Sequence, residues 1–303
     1  MRPSTSSLLV ASRRSRRRRN ALLAPSEHPA TKLVVGLATI VFLISAGLAL
    51  RAAPIDADLS RAMNGWHING LGQVTALVYD LFSPVPAIVI TVIVTSIVWA
   101  LSGRMALAIA FAGTIALTWI PSDIVKIAVG RPRPDATLLP HPVAQMPVDP
   151  SYPSGHVAFV TALVLALVLM LKGTRWHRPA IVLGTIAVVV VVFSVAILGV
   201  HYPTDALASV GWALGVFPAA RIVWVRMLMP LVPFLREGRG RAGTAPPRRR
   251  RDARRLTQRG SPTARRPPEP VRAAAADRTR TAHGAGCNAR VPRPRRPSLR
   301  RGS

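Results

Sequence analysis

Six apolar stretches in the middle of the chain constrain its fold more than any other feature. They cover residues 33–50, 85–101, 105–124, 157–171, 181–200 and 206–225. About 20 apolar residues cross the hydrocarbon core of a bilayer, and only helices or closed barrels satisfy their backbone groups there. The pattern predicts an all-α fold, a polytopic membrane helix bundle with about six transmembrane helices. The fourth stretch is short, so we expect its helix to begin in the preceding loop or to tilt less than its neighbours.

The charge is concentrated at the two ends of the chain. Residues 1–32 carry net +7, residues 33–235 net +4 and residues 236–303 net +17. The ends are too polar to bury a core. We therefore expect a basic disordered N-terminus (1–32), a six-helix membrane domain (33–235) and an Arg/Pro/Ala-rich disordered tail (236–303). The tail could hold anionic lipid headgroups, could touch nucleic acid non-specifically, or could have no defined role; we favour the lipid headgroups.

Basic residues favour cytoplasmic loops, which predicts the orientation of the bundle. Six crossings place both Arg-rich ends in the cytoplasm of what we expect to be a bacterial cell, with loops 51–84, 125–156 and 201–205 outside. The first stretch is longer than the apolar core of a signal peptide, so we expect an uncleaved anchor. The second outside loop nevertheless contains three basic residues, Lys126, Arg131 and Arg133. Because basic residues favour the cytoplasmic side, their position outside requires a local explanation.

The unusual polar residues of the middle region fall in two of these outside loops. One contains Lys126, Gly-Arg-Pro-Arg-Pro at 130–134 and Pro-Ser-Gly-His at 153–156, and the other His-Tyr-Pro-Thr-Asp at 201–205. Arg and Lys match phosphate oxygens. Ser154 and Gly155 precede a helix, whose free N–H groups attract anions. These residues predict a phosphate site at the membrane surface.

The two histidines of these loops suit the transfer of a phosphoryl group. His201 could attack phosphorus as a nucleophile and form a phosphohistidine. Asp205 could bind the other ring N–H and fix the tautomer. His156 could protonate the leaving oxygen. Taken singly, each histidine is better explained as an interfacial or capping residue. Their combination with Lys126, Arg133 and Asp205 on one predicted face favours a site.

These motifs resemble those of the type 2 phosphatidic acid phosphatases, relatives of the vanadium-dependent haloperoxidases. Lys126 with Arg133-Pro134 matches the family's first motif, Pro153 to His156 the second, and Ser194, His201 and Asp205 most of the third. The resemblance covers roughly residues 55–225. It implies His201 as nucleophile, Asp205 as its partner and His156 as acid. It also implies phosphate binding by Lys126, Arg133, Ser154 and Gly155, with no metal and no cofactor.

The sequence departs from the family at one position. The third motif has Arg after its Ser, and this chain has Val195. In the family that Arg contacts the phosphate. Either Arg131 takes over this contact, which we favour, or the site has weakened or changed its task.

The sequence therefore predicts a membrane lipid phosphatase acting on a phosphomonoester or diphosphate headgroup at the outer face. A non-catalytic lipid-phosphate-binding protein on the same fold is the alternative, and vanadate-dependent haloperoxidase chemistry is disfavoured by the membrane spans. Nucleic acid is not an expected partner of the membrane domain. Asp123 is expected to pair with Lys126, three residues on in one helix. The lone Cys287 excludes an internal disulfide. The sequence does not distinguish between lipid phosphates or indicate an oligomeric state.

Overall fold

The computed structural model describes residues 20–231, and these residues form an all-α structure. Its helices are α1 (Pro29–Ala52), α2 (Ala57–Asn64), α3 (Asn69–Leu81), α4 (Pro84–Ser102), α5 (Met105–Trp119), α6 (Pro121–Val129), α7 (Gly155–Met170), α8 (His177–Ile197) and α9 (Pro203–Ile222). A 3-10 turn lies at Ala136–Leu138, and α9 continues through a π-helical segment, Val223–Leu228, into a 3-10 turn, Met229–Leu231.

Five helical segments in the described part of the chain are long and apolar enough to cross a membrane. They are Pro29–Ala52, Pro84–Ser102, Met105–Val129, His177–Ile197 and Pro203–Leu231. Helix α7 is apolar but has only 16 residues, as the short fourth stretch predicted. The third span changes from α5 to α6 at Pro121, where the proline ring removes a backbone donor. The chain is a polytopic helical membrane protein, and the predicted fold class is confirmed.

The described residues include the last part of the predicted N-terminal region, from residue 20 onward. Helix α1 already begins at Pro29, and Leu22 is fully buried. Arg221 Nη1, near the end of α9, donates to the carbonyl oxygens of Leu22 at 2.8 Å and Ala24 at 3.0 Å. These contacts give the segment before α1 enough partners to be ordered. The rest of the predicted N-terminal region, residues 1–19, and the tail from residue 232 lie outside the described residues.

Helix α7 forms the centre of the bundle and packs against α5, α8 and α9. Its residues Val157–Leu163 are all buried. The first two turns of this helix are therefore enclosed by its neighbours rather than exposed to lipid. Because its N-terminus carries Pro-Ser-Gly-His, the centre of the bundle also holds the candidate site.

Small residues bring α1 against α9. A Cβ added to Gly36 would lie 2.7 Å from Ala219 Cβ, and one added to Gly215 would collide with Thr39 Oγ1. Such close approach of backbones is typical of membrane helix pairs. Gly47 of α1 also touches Tyr152, whose hydroxyl donates to the carbonyl oxygen of Leu43 at 2.8 Å. Helix α1 thus supports the loop that precedes α7.

Candidate active site

His201 lies in the short turn between α8 and α9 and is fully buried. Gly199 forms this turn with φ of 72°, a left-handed conformation that favours glycine. His201 Nδ1 lies 2.7 Å from the carbonyl oxygen of Ser151. A carbonyl only accepts, so Nδ1 carries the proton and donates it. The lone pair is therefore on Nε2, the nitrogen left for attack.

Asp205, in the first turn of α9, is close to His201 but does not form the direct hydrogen bond predicted from sequence. Asp205 Oδ2 is 3.9 Å from His201 Nδ1 and accepts instead from the backbone N–H of Tyr202 at 2.9 Å. The Ser151 carbonyl fixes the tautomer in its place. Burial lowers the pKa of His201 to about 4, although the nearby Asp205 carboxylate opposes the shift. His201 is therefore neutral at physiological pH, as a nucleophile must be.

Lys126 and Arg133 meet on opposite oxygens of one carboxylate, that of Asp149. Lys126 Nζ is 2.7 Å from Asp149 Oδ2, and Arg133 Nη2 is 2.8 Å from Asp149 Oδ1. Arg133 Nε also donates to the Asp149 carbonyl at 2.9 Å. Burial raises the pKa of Asp149, but the hydrogen bonds and charges of Lys126 and Arg133 outweigh it and lower the pKa to about 2. The carboxylate is thus always ionised at neutral pH.

Arg133 also connects this ion pair to the nucleophile. Its Nη1 donates to the Val200 carbonyl at 2.6 Å and lies 3.4 Å from His201 Nε2. A group attacked by Nε2 would therefore lie beside a guanidinium, the side chain best suited to phosphate oxygens. The structure brings Arg133 close to Lys126, through Asp149, and close to His201.

The N-terminus of α7 presents polar groups without protein partners. Ser154 makes no side-chain cap, and Ser154 Oγ and His156 Nε2 are buried without a hydrogen-bond partner among the described residues. The first N–H groups of a helix also have no partner inside it. A Cβ at Gly155 would lie 3.8 Å from Trp119 Nε1 and 3.9 Å from Asp123 Oδ1, so this stretch of backbone is open. Unsatisfied buried donors beside two cations fit a bound phosphate.

His156 faces His201 across this cradle. The two ring centroids are 6.4 Å apart, with an angle of 65° between the planes. Tyr79 of α3 stacks on the other face of His156 at a centroid distance of 4.0 Å and an angle of 24°. The separation leaves room for phosphorus between a nucleophile on one side and a proton donor on the other. Tyr79 holds the orientation of the donor ring.

Arg131 is directed away from the cradle, into a buried ionic cluster. Its Nη1 donates to Asp205 Oδ1 at 2.5 Å and to Thr204 Oγ1 at 2.8 Å, and its Nη2 donates to Asp56 Oδ1 at 2.7 Å. Its guanidinium carbon lies 4.0 Å from the centre of the Tyr202 ring. The structure thus gives Arg131 two carboxylate partners in place of the phosphate contact predicted for it. Its position supports a different role, which is to hold Asp205.

Val195 occupies the position of the family arginine and is fully buried near the end of α8. Its carbonyl accepts from the backbone N–H of His201 at 3.3 Å. The cations that the structure places at the cradle are therefore Lys126 and Arg133. In the described part of the chain, no group of three or more His, Cys, Asp or Glu residues could hold a metal ion.

Sequence reasoning missed three residues that shape the site. Asp149 was not singled out, and it replaces Asp123 as the ion-pair partner of Lys126, because the loop returns it to the end of α6. Asp56 lies in no motif, but it accepts from Arg131 and from Thr204. Tyr79 carried no motif. Of these three residues, Asp149 alone could have been found from the sequence. It is an acid five residues before Ser154, in a loop whose basic residues have no other evident partner.

Comparison with known proteins shows which proteins this part of the chain is similar to. Residues 103–228 match the model of the PAP2 superfamily. An undecaprenyl-diphosphatase of Sulfolobus acidocaldarius is 35% identical over 94 residues, which are 31% of this chain and 42% of that protein. The chain therefore aligns with less than half the length of this curated relative.

A solved structure shares the fold. It is that of a transmembrane PAP2-type phosphatidylglycerolphosphate phosphatase from Bacillus subtilis, with a TM-score of 0.52 and 17% sequence identity. The similarity covers 65% of this chain and 96% of the solved one. The family model, the curated relative and the shared fold thus all point to similarity with the PAP2 superfamily, carried in sequence by residues 103–228.

Proposed function

We propose that this protein is a lipid phosphatase that hydrolyses a phosphomonoester or diphosphate headgroup through a phosphohistidine intermediate. The observation that carries the proposal is the setting of His201, whose Nδ1 is bound to the Ser151 carbonyl and whose Nε2 lies 3.4 Å from Arg133 Nη1. A tautomerically fixed, neutral imidazole beside a guanidinium is arranged to attack a phosphate. The superfamily and the membrane spans support a substrate whose tail stays in the bilayer.

The first half of the reaction transfers the phosphoryl group to the protein. His201 Nε2 forms a bond to phosphorus while the bond from phosphorus to the leaving oxygen breaks. His156 Nε2–H gives its proton to that oxygen, so the lipid leaves as an alcohol or, from a diphosphate, as a monophosphate. Lys126, Arg133 and the free N–H groups of α7 stabilise the charge on the phosphoryl oxygens.

The second half returns the protein to its starting state. Neutral His156 takes a proton from water, whose oxygen attacks phosphorus as the bond to His201 Nε2 breaks. Inorganic phosphate leaves, and His156 carries the proton that it needs for the next cycle. Asp205 stabilises the imidazolium of the intermediate through its charge, at 3.9 Å from Nδ1. The residues of the cradle perform each of these steps without a metal ion.

The curated relative indicates which substrate to test first. Because that relative is an undecaprenyl-diphosphatase, we propose a prenyl diphosphate as the first substrate and other lipid phosphates as competitors for the role. We also propose that the cradle faces the periplasm or cell exterior, since the Arg-rich ends favour the cytoplasm. The basic tail would then lie where it could attract anionic headgroups.

One assay tests the activity. Purified full-length protein in detergent is given undecaprenyl diphosphate, phosphatidic acid and phosphatidylglycerol phosphate, with a chelator present, and free phosphate is measured. We expect release that His201→Ala abolishes. His67→Ala is the matched control, because His67 Nδ1 contacts the His141 carbonyl at 3.0 Å rather than a residue of the cradle. Release that requires added Mg²⁺ would contradict the metal-free mechanism.

The second candidate is a lipid-phosphate binder without activity, and Val195 is the observation that favours it. The cradle holds two cations, and the position of a third is apolar and buried. Binding of lipid phosphates without any release of phosphate, in wild type and His201→Ala alike, would establish this reading.

A further inference from the structure

Asp149 occupies the place where a substrate phosphate would be expected. Its two carboxylate oxygens accept from Lys126 Nζ at 2.7 Å and from Arg133 Nη2 at 2.8 Å. These are the two cations that the proposed function assigns to phosphate. A carboxylate bridging them has the geometry of two phosphate oxygens.

The bonds of Arg133 show why both anions cannot be fully bound at once. Its Nε donates to the Asp149 carbonyl, its Nη1 to the Val200 carbonyl, and its Nη2 to the Asp149 carboxylate. A guanidinium has five N–H donors. Four of them are used, because Nη1 also lies 3.4 Å from the acceptor His201 Nε2. One donor is left, so a phosphate beside His201 can accept two hydrogen bonds from Arg133 only if the carboxylate withdraws.

Asp149 can withdraw at small cost. Its side chain is 48% exposed, and the hydrogen bonds of its carboxylate recorded within the described residues go to Lys126 and Arg133. Water can replace these bonds for the carboxylate, and the phosphate replaces them for the cations. By contrast Asp56 and Asp205, which hold Arg131, are buried and have no such freedom.

We propose that Asp149 is an internal counter-anion that fills the phosphate position between Lys126 and Arg133 and is displaced by the substrate headgroup. The inference rests on the proposed function and adds a selectivity to it. A phosphomonoester carries roughly −1.5 to −2 charges and outcompetes a single carboxylate. A phosphodiester carries one negative charge and gains little over the group that it must displace. Asp149 therefore keeps the phosphodiester lipids of the bilayer out of the site and helps to expel product phosphate.

The experiment measures binding of inorganic phosphate to purified full-length protein by titration calorimetry in detergent. Asp149→Asn removes the competing charge, so the Kd for phosphate should fall about tenfold or more, a change that corresponds to about 1.4 kcal/mol. Asp149→Glu keeps a carboxylate and should bind nearly as weakly as wild type. Asp135→Asn is the control, because Asp135 is an exposed acid of the same loop whose side chain accepts from Thr137. Asp149→Ser removes the same charge if the Asn variant does not fold.

A purely structural role for Asp149 predicts the opposite sign. If the carboxylate only holds Lys126 and Arg133 in place, Asp149→Asn will weaken phosphate binding. A Kd that is unchanged or higher therefore overturns the inference. Dimethyl phosphate, a monoanion, should bind to Asp149→Asn and not measurably to wild type; equal binding to both overturns the selectivity. If the wild type hydrolyses lipid phosphates and Asp149→Asn leaves the Kd for phosphate unchanged, this inference alone is wrong. If the wild type hydrolyses no lipid phosphate, the proposed function is wrong.

Discussion

Replacing Arg131 by Ala should destabilise the protein rather than merely weaken phosphate binding. The side chain is 1% exposed and pairs with Asp205, which is fully buried, and with Asp56, which is 6% exposed. Removing one partner from a buried ionic cluster leaves uncompensated charge and costs about 3–5 kcal/mol. We therefore expect Arg131→Ala to lose that much free energy of unfolding, with activity falling because Asp205 is released.

The measurement is denaturant unfolding in detergent together with phosphate release. Arg61→Ala is the matched control, because this exposed arginine donates to the Leu138 carbonyl at 3.1 Å and has no carboxylate partner within residues 20–231. Its loss should change stability by less than about 0.5 kcal/mol. Arg133→Ala should slow phosphate release by about 30- to 1,000-fold, as expected for a transition-state contact, with a smaller loss of stability than Arg131→Ala.

Val195→Arg in the Arg131→Ala background separates the two roles of Arg131. If Arg131 holds Asp205, an arginine at position 195 cannot restore the cluster, and neither stability nor rate should recover. The reasoning is refuted if Arg131→Ala is as stable as wild type and Val195→Arg restores its rate. Arg131 would then make the phosphate contact predicted from sequence.

Three further predictions test other parts of the structure. Burial lowers the pKa of His201 from 6.5 to about 4, so as the pH falls the unfolded chain binds a proton at this residue before the folded protein does. The free energy of unfolding should therefore fall by roughly 3 kcal/mol between pH 6.5 and pH 4. His201→Asn should remove that part of the pH dependence in thermal unfolding, and an unchanged profile would contradict the lowered pKa. In a Cys287→Ser background, a cysteine at Ala136 should react with an impermeant thiol reagent on intact cells and one at Thr174 should not; the reverse labelling would invert the topology. Tyr79→Ala should lower kcat about tenfold with little change in KM, because Tyr79 orients the His156 ring; a change confined to KM would assign it to substrate binding.

The spans and motif residues could be predicted from the sequence because each signal is local. Hydropathy identifies an apolar helix without knowledge of its neighbours, and Pro-Ser-Gly-His places Ser154 and His156 at a helix start wherever that helix packs. The partners of Arg131 could not be found in this way. Asp56 is 75 residues away from it, and only the packed bundle shows that they meet.

The loop between α6 and α7 explains the other differences. Asp123 and Lys126 share a helix, and helical spacing alone favours their pairing. The loop instead returns Asp149 to the same place and brings the Ser151 carbonyl to His201 Nδ1 at 2.7 Å. Loop paths depend on many weak contacts, so the group that fixes the tautomer could not be read from spacing.

The contact between α1 and α9 has a consequence for synthesis. A membrane chain is inserted from its N-terminus, and domains form in the order in which their parts appear. Gly36 and Ala219 touch across the sequence, and Tyr152 is bound to Leu43. In the unfinished chain, helix α1 therefore lies in the bilayer without its partner helix, and its small-residue face contacts lipid until α9 has been synthesised. Since α9 also carries Asp205, a nascent chain halted before this helix should be inserted in the membrane but inactive. Activity should appear only after α9 has packed against α1.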